Sequence, residues 1–171
     1  MIKFVRFNIY LFVALALLVP VNGCKTDKKK KNVTILELHL EASADGSGDN
    51  ESVQVFRDPP ISVNVDKESF LDGEDVEQAK VVDELGGYVI QLKFNWRGTQ
   101  LLSSITAANR GKRIAVLCVF GEARWLAAPV IRKAINDGVL KFTPDASREE
   151  ADRIVKGLND VAVELKKSDK L

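Results

Sequence analysis

A chain of 171 residues with 25 Lys and Arg against 24 Asp and Glu, a formal +1, gives no electrostatic reason to expect nucleic acid, which calls for a clustered basic face. Two cysteines exclude a disulfide scaffold, and a hydrophobic share of 46% suits one domain with a real core. Lys3 and Arg6 fall in residues 1–23, which hold no acidic residue, so the remainder carries a formal −1.

Lys3 and Arg6 precede an uncharged stretch from Ile9 to Val19 and then Val21-Asn22-Gly23-Cys24. A basic start, an apolar middle and small residues at the cut are the three parts of a secretory signal. Eleven apolar residues at about 1.5 Å each cover roughly half of a ~30 Å hydrocarbon core, so a spanning helix is not expected. Val21 to Cys24 resembles the lipobox of bacterial lipoproteins, which implies loss of residues 1–23 and lipid attachment at Cys24. Residues 24–32, with the run Lys28 to Lys31, then read as a polar Lys-rich tether, each basic residue adding about 1 kcal/mol of attraction to anionic head groups. The expected location is the periplasmic side of a bacterial envelope, with the membrane as partner through Cys24. Lys25 after the cysteine, with no aspartate there, favours the outer membrane by analogy with proteobacterial lipoprotein sorting.

A single domain is expected over 33–167. Thr34 to Glu41 alternates, Leu36, Leu38 and Leu40 on one face and Glu37, His39 and Glu41 on the other, which predicts a strand with a wet side. Those three polar residues include the only histidine and would reach a divalent metal if a fourth ligand approached, whereas a solvated strand face asks for no metal. Val53 and Val55, then Ile61, Val63 and Val65, predict two short strands parted by Pro59-Pro60, which suggests an edge.

Leu71 to Val76 reads as a turn into one helical turn, with Asp72 as its cap. Ala79–Leu85 and Tyr88–Phe94 flank Gly86-Gly87 as a hairpin. Gly98, Leu101, Leu102, Ile105 and Ala108 form one helical face, starting near Asn95 and ending at Asn109-Arg110-Gly111. Ile114 to Phe120 is unbroken apolar sequence and predicts a central strand covered on both faces, with Ala123 to Leu126 returning beside it. Cys118 in that strand reads as a small core residue. Val139–Phe142 is a last short strand. Ser147 with Glu150 is a capping box, and Ala151, Ile154, Val155, Leu158, Ala162 and Leu165 hold one apolar stripe. The expected class is α+β, a mostly antiparallel sheet with two amphipathic helices packed on one face.

Leu71, Gly73, Asp75, Val76 and Ala79, then Phe94-Asn95 with Gly98, Ile105-Thr106, Asn109, Gly111-Lys112-Arg113-Ile114-Ala115, Ala127-Ala128-Pro129 with Ile131, Ile135, Gly138, and Glu149-Glu150-Ala151 together resemble the head of the first periplasmic domain of SecD, an accessory subunit of the bacterial protein-export translocon. The resemblance spans about 70–163 and leaves the N-terminal strands at 33–66 unplaced. It implies this fold, no catalytic residues, no cofactor and an affinity for extended polypeptide. Translocon members continue into a membrane-helix bundle that couples export to the proton gradient, and that motor is not expected of this sequence.

Three functional readings follow. A lipid-tethered binding module would engage extended polypeptide or an envelope protein through an open sheet edge or through Trp96, Arg124 and Trp125. A structural envelope lipoprotein would need no ligand. A small metal-dependent enzyme would rest on Glu37, His39 and Glu41, although no nucleophile and base are paired by their spacing.

Overall fold

The computed structural model describes residues 34–43 and 48–168, so the expected signal peptide, Cys24 and tether lie outside the described residues. Among the described residues the elements are β1 (Ile35–Leu40), β2 (Asn50–Val55), β3 (Ile61–Asp66), β4 (Leu71–Asp72), β5 (Val76–Glu84), β6 (Gly87–Phe94), α1 (Trp96–Ala108), β7 (Ile114–Val119), β8 (Ala123–Ala127), β9 (Val139–Phe142) and α2 (Arg148–Ser168). A one-turn helix, Gly73–Asp75, joins β4 to β5, with Asp72 accepting from the Glu74 N–H at 2.8 Å. The predicted caps form. Asn95 accepts from the Gly98 N–H at 2.8 Å, and Ser147 and Glu150 exchange bonds at the start of α2.

The class is α+β and the strand pairs are antiparallel, but the expected single layer is divided into three sheets of order β4-β1-β7-β8, β2-β3 and β5-β6-β9. β7 lies between β1 and β8, as its apolar run requires. Its residues Ile114, Val116 and Cys118 point into a main core shared with Leu36 and Leu38 of β1, Ile90, Leu92 and Phe94 of β6, and Leu140 and Phe142 of β9. Leu102 of α1 and Ala151, Ile154 and Leu158 of α2 enter that same core, so both helices cover one side. The stripe of α1 is narrower than its spacing suggests. Ala108 is exposed and Thr106 is buried instead, its hydroxyl donating to the Leu102 carbonyl at 2.6 Å and accepting from the Ile135 N–H at 2.9 Å. A hydroxyl satisfied on both counts costs little inside.

The other face of β1 and β7 is partly covered. β2 and β3 pair over six positions as a ribbon, and their Val53, Val55, Val63 and Val65 build a second core against Ala115, Ala128 and Trp125. The Pro59-Pro60 pair belongs to the turn of that ribbon, which carries a cis Asp58–Pro59 bond. His39 is therefore only 4% exposed. Alternation reported which face of β1 is polar; a second layer arriving from elsewhere in the chain buries that face at His39, while the Glu37 side chain stays 39% exposed.

Sheet edges are unequally protected. The outer edge of β5 is met by α2, where the Asn159 amide accepts from the Ala79 N–H at 2.8 Å and donates to the Ala79 carbonyl at 3.0 Å. Asn159 thus copies a neighbouring strand at one residue, a way of blunting an edge. The edge of β8 is met by Asp145, whose N–H donates to the Leu126 carbonyl at 2.8 Å.

Asp75 is a buried acid with an incomplete set of partners. It is 1% exposed, and its Oδ2 lies 3.3 Å from Arg97 Nη2 yet accepts no aligned hydrogen bond. Burial pushes its carboxyl above the usual range, opposed by the Arg97 charge. Because the folded state binds this proton more tightly than the unfolded chain, stability falls as pH rises from the unfolded value through the folded one, and stays reduced above it. Asp75→Asn removes that decline. Urea titrations from about pH 3 to about pH 8 should show the variant gaining on the parent across that window and then running parallel; parallel curves throughout would mean the carboxyl ionises without cost.

Candidate functional site

The residues expected to form an interface do not share one surface. Trp96, the first residue of α1, is 79% exposed. Arg124 and Trp125 are consecutive on β8 and so point to opposite faces. The Arg124 side chain is 14% exposed; its Nη2 reaches Glu150 Oε1 at 3.0 Å and Glu122, and its guanidinium stacks 5.1 Å from the centre of the Phe120 ring. Glu150 is held below the usual carboxylate range, first by the Ser147 backbone N–H and then by Arg124. Arg57 extends the network, its backbone N–H donating to Asp145 at 2.8 Å and its Nε lying 3.1 Å away, so the ribbon turn is fastened to the start of α2. Trp125 packs into the ribbon core, with its ring 5.1 Å from His39 at 68°. These two side chains hold layers together.

Of the three residues in the metal alternative, the structure brings His39 and Glu37 together and directs Glu41 elsewhere. His39 Nδ1 donates to the Asp66 carbonyl at 2.8 Å, and Nε2 lies 3.3 Å from Glu37. Glu41 instead accepts from the Arg113 backbone N–H at 2.8 Å. Among the described residues no group of three or more His, Cys, Asp or Glu is placed to hold a metal ion. Cys118 is fully buried, and burial pushes its thiol up to about 12, which leaves no thiolate at neutral pH.

A groove that sequence reading did not find lies along β9. It encloses about 310 Å³, with Ile114, Ile131, Ile135 and Leu140 in its lining, Val139 and Lys141 on one rim, and Arg132 and Lys133 on the other. Gly138 launches β9 with φ +66, and a Cβ there would meet the Thr99 hydroxyl at 2.1 Å. The Phe94 N–H donates to the Gly138 carbonyl at 2.9 Å, and the register runs on through Leu92 opposite Leu140 and Ile90 opposite Phe142. Antiparallel pairs alternate between bonded and non-bonded, so Val139 and Lys141 turn their backbone groups outward, into the groove. Asp137 takes the Val139 N–H at 3.1 Å, which leaves the Val139 carbonyl and the Lys141 N–H and carbonyl on the open edge.

The far wall, Pro129–Ile135, is fixed from behind. Ile131 exchanges bonds with residues 111 and 112 (Gly111 N–H to Ile131 carbonyl 2.9 Å, Ile131 N–H to Lys112 carbonyl 2.8 Å), and the Ile135 N–H is held by Thr106. An apolar floor thus lies between an unpaired strand edge on one side and a wall held from behind on the other. A second hollow of about 290 Å³ lies beside Thr34 to Glu37, Asp72 to Glu74 and Val161, and is ringed by the carboxylates Glu37, Asp72 and Glu74. The strand Val139–Phe142 was legible, but its pairing with β6 and the segment facing its free edge were not, so only the fold could reveal the groove.

No helix of the described residues is long and apolar enough to cross a membrane. Over 85 residues the chain is 31% identical to protein translocase subunit SecD of Acidaminococcus fermentans, covering 49% of this chain and 20% of that protein. It is 35% identical over 85 residues to protein translocase subunit SecDF of Thermus thermophilus, covering 49% of this chain and 11% of that one. It thus spans a tenth to a fifth of the length of these relatives. A solved structure of a membrane component SecDF that enhances protein export has the same fold, with a TM-score of 0.53 and 22% identity over 75% of this chain and 63% of that chain. The family model for the SecDF P1 head subdomain matches residues 50–164, and so takes in the β2–β3 ribbon as well as the helices and the groove. The chain belongs to the SecDF P1 head subdomain family.

Proposed function

We propose that this protein is a lipid-anchored binding module of the periplasmic side of the envelope, which holds extended polypeptide in the groove along β9. The observation that carries this reading is the open backbone of Val139 and Lys141 facing an apolar floor, because a strand added there gains main-chain hydrogen bonds and a place for every second side chain. Relatives that are translocase subunits support polypeptide as the occupant. The signal-like start and Cys24 supply the anchor, and the chemistry asked of the protein is binding alone. In this reading Trp96, exposed at the start of α1, is an accessory contact, while Arg124 and Trp125 keep the surface in shape.

One experiment tests groove and anchor together. A photo-crosslinking residue is placed at Val130, 42% exposed on the groove wall, and at Leu85 on the β5–β6 turn as a control, with and without Cys24→Ser. Val130 is expected to trap polypeptide in the membrane fraction, Leu85 to trap little, and Cys24→Ser to move protein and adducts to the soluble fraction. Equal trapping at the two positions would reject the groove; unchanged fractionation would reject the anchor.

A further inference from the structure

Basic residues are gathered at one end of the domain without acids to match them. Elsewhere Arg57, Lys93, Arg124 and Arg148 each reach a carboxylate. Among the described residues none of Arg110, Lys112, Arg113, Arg132 and Lys133 forms an ion pair. The backbone bonds between residues 111–112 and Ile131, with the bridge of Arg113 to Val130, set these five residues on two paired segments, of which the one carrying Arg132 and Lys133 lines the groove and the other backs it. Two acids lie near, and neither forms an ion pair with any of the five. Glu41 accepts from the Arg113 backbone N–H, and Asp137, the one carboxylate in the groove lining, accepts from Val139. On a chain of formal charge +1 this is segregation, since the second hollow carries the acids.

We infer that the groove selects polypeptide in which acidic side chains flank an apolar one. The inference rests on the polypeptide reading above and names the class of segment the site takes. A strand paired to β9 alternates its side chains. Those beside Leu140 drop toward the Ile114, Ile131 and Ile135 floor, and those beside Lys141 stand on the opposite face, within cross-strand reach of its ammonium group. Asp or Glu at the second set meets Lys141 on one rim and is drawn by Arg132 and Lys133 on the other, whereas Lys or Arg meets like charge from both sides. Lys141 already pairs with Glu84 at 3.1 Å, so Arg132 and Lys133 are the cations still without a partner.

The test uses the full chain in detergent and three fluorescent peptides of about eight residues, Val alternating with Glu, Ser or Lys. Dissociation constants are read by anisotropy at low and high salt. The Glu peptide should bind about tenfold more tightly than the Ser peptide at low salt and the Lys peptide more weakly than both, with the spread collapsing as salt rises. Arg132→Gln with Lys133→Gln, both exposed and without an ion pair, should bring the Glu-to-Ser affinity ratio down to about one at low salt. Equal affinity for all three peptides overturns the acidic selectivity and leaves the groove reading standing; binding of none overturns both. A third result would also overturn it: the double variant losing binding to vesicles of phosphatidylcholine and phosphatidylglycerol while showing no change in peptide preference, which assigns the basic wall to a membrane surface.

Discussion

Leu158→Ala is expected to lower the unfolding free energy by about 3–5 kcal/mol, a large part of what a domain of this size possesses. Leu158 is fully buried, and its Cδ2 comes within 3.8 Å of where a Cβ on Gly73 would stand, so it wedges α2 against the turn that leads into β5. Removing its branch leaves a hole lined by side chains already fixed by strand pairing, which have little freedom to collapse. In urea the midpoint should fall with the slope unchanged. Leu85→Ala is the matched control. Leu85 is fully exposed at the β5–β6 turn and its loss should move stability by less than about 0.5 kcal/mol. A Leu158→Ala loss below about 1 kcal/mol would mean that α2 is not docked by its stripe.

The second large effect is polar. Asn159→Ala takes away both hydrogen bonds to Ala79, a residue 2% exposed, and leaves a buried N–H and a buried carbonyl without partners. Each orphaned group costs about 1–3 kcal/mol, and the better helix propensity of alanine returns a few tenths, so a net loss of about 2–5 kcal/mol is expected. Hydrogen exchange separates this from a general loosening. The Ala79 amide should exchange faster by more than the global change in stability predicts, while Leu92, in the middle of the same sheet, should follow the global change alone. Equal acceleration at both amides would show that Asn159 supports packing and not the edge.

Positions 158 and 159 also show what a sequence can and cannot disclose. The apolar stripe through Ala151, Ile154 and Leu158 has helical spacing, so the helix, its cap at Ser147 and its buried face were all legible locally. The same holds for β7, whose unbroken run Ile114–Val119 could only be a strand covered twice. The role of Asn159 was not legible, because its partner lies 80 residues away. His39 misled for the same reason: β1 carried a correct alternation, but the ribbon that buries His39 closes through contacts of long sequence separation. The groove is the extreme case. Its lining comes from β7, β9 and the segment between β8 and β9, and no one of them shows a groove by itself.

The Asn159 clasp on β5 has a consequence for stoichiometry. A sheet that recruits a strand at one border while leaving the opposite border vacant is a template for end-to-end growth, each copy offering the next a place to add. Here the β5 border is occupied by a helix side chain, and an incoming strand at β9 finds the Pro129–Ile135 wall on its far side. Under the proposed reading, capture would therefore terminate after one segment, with no copy of the domain left as a template for the next.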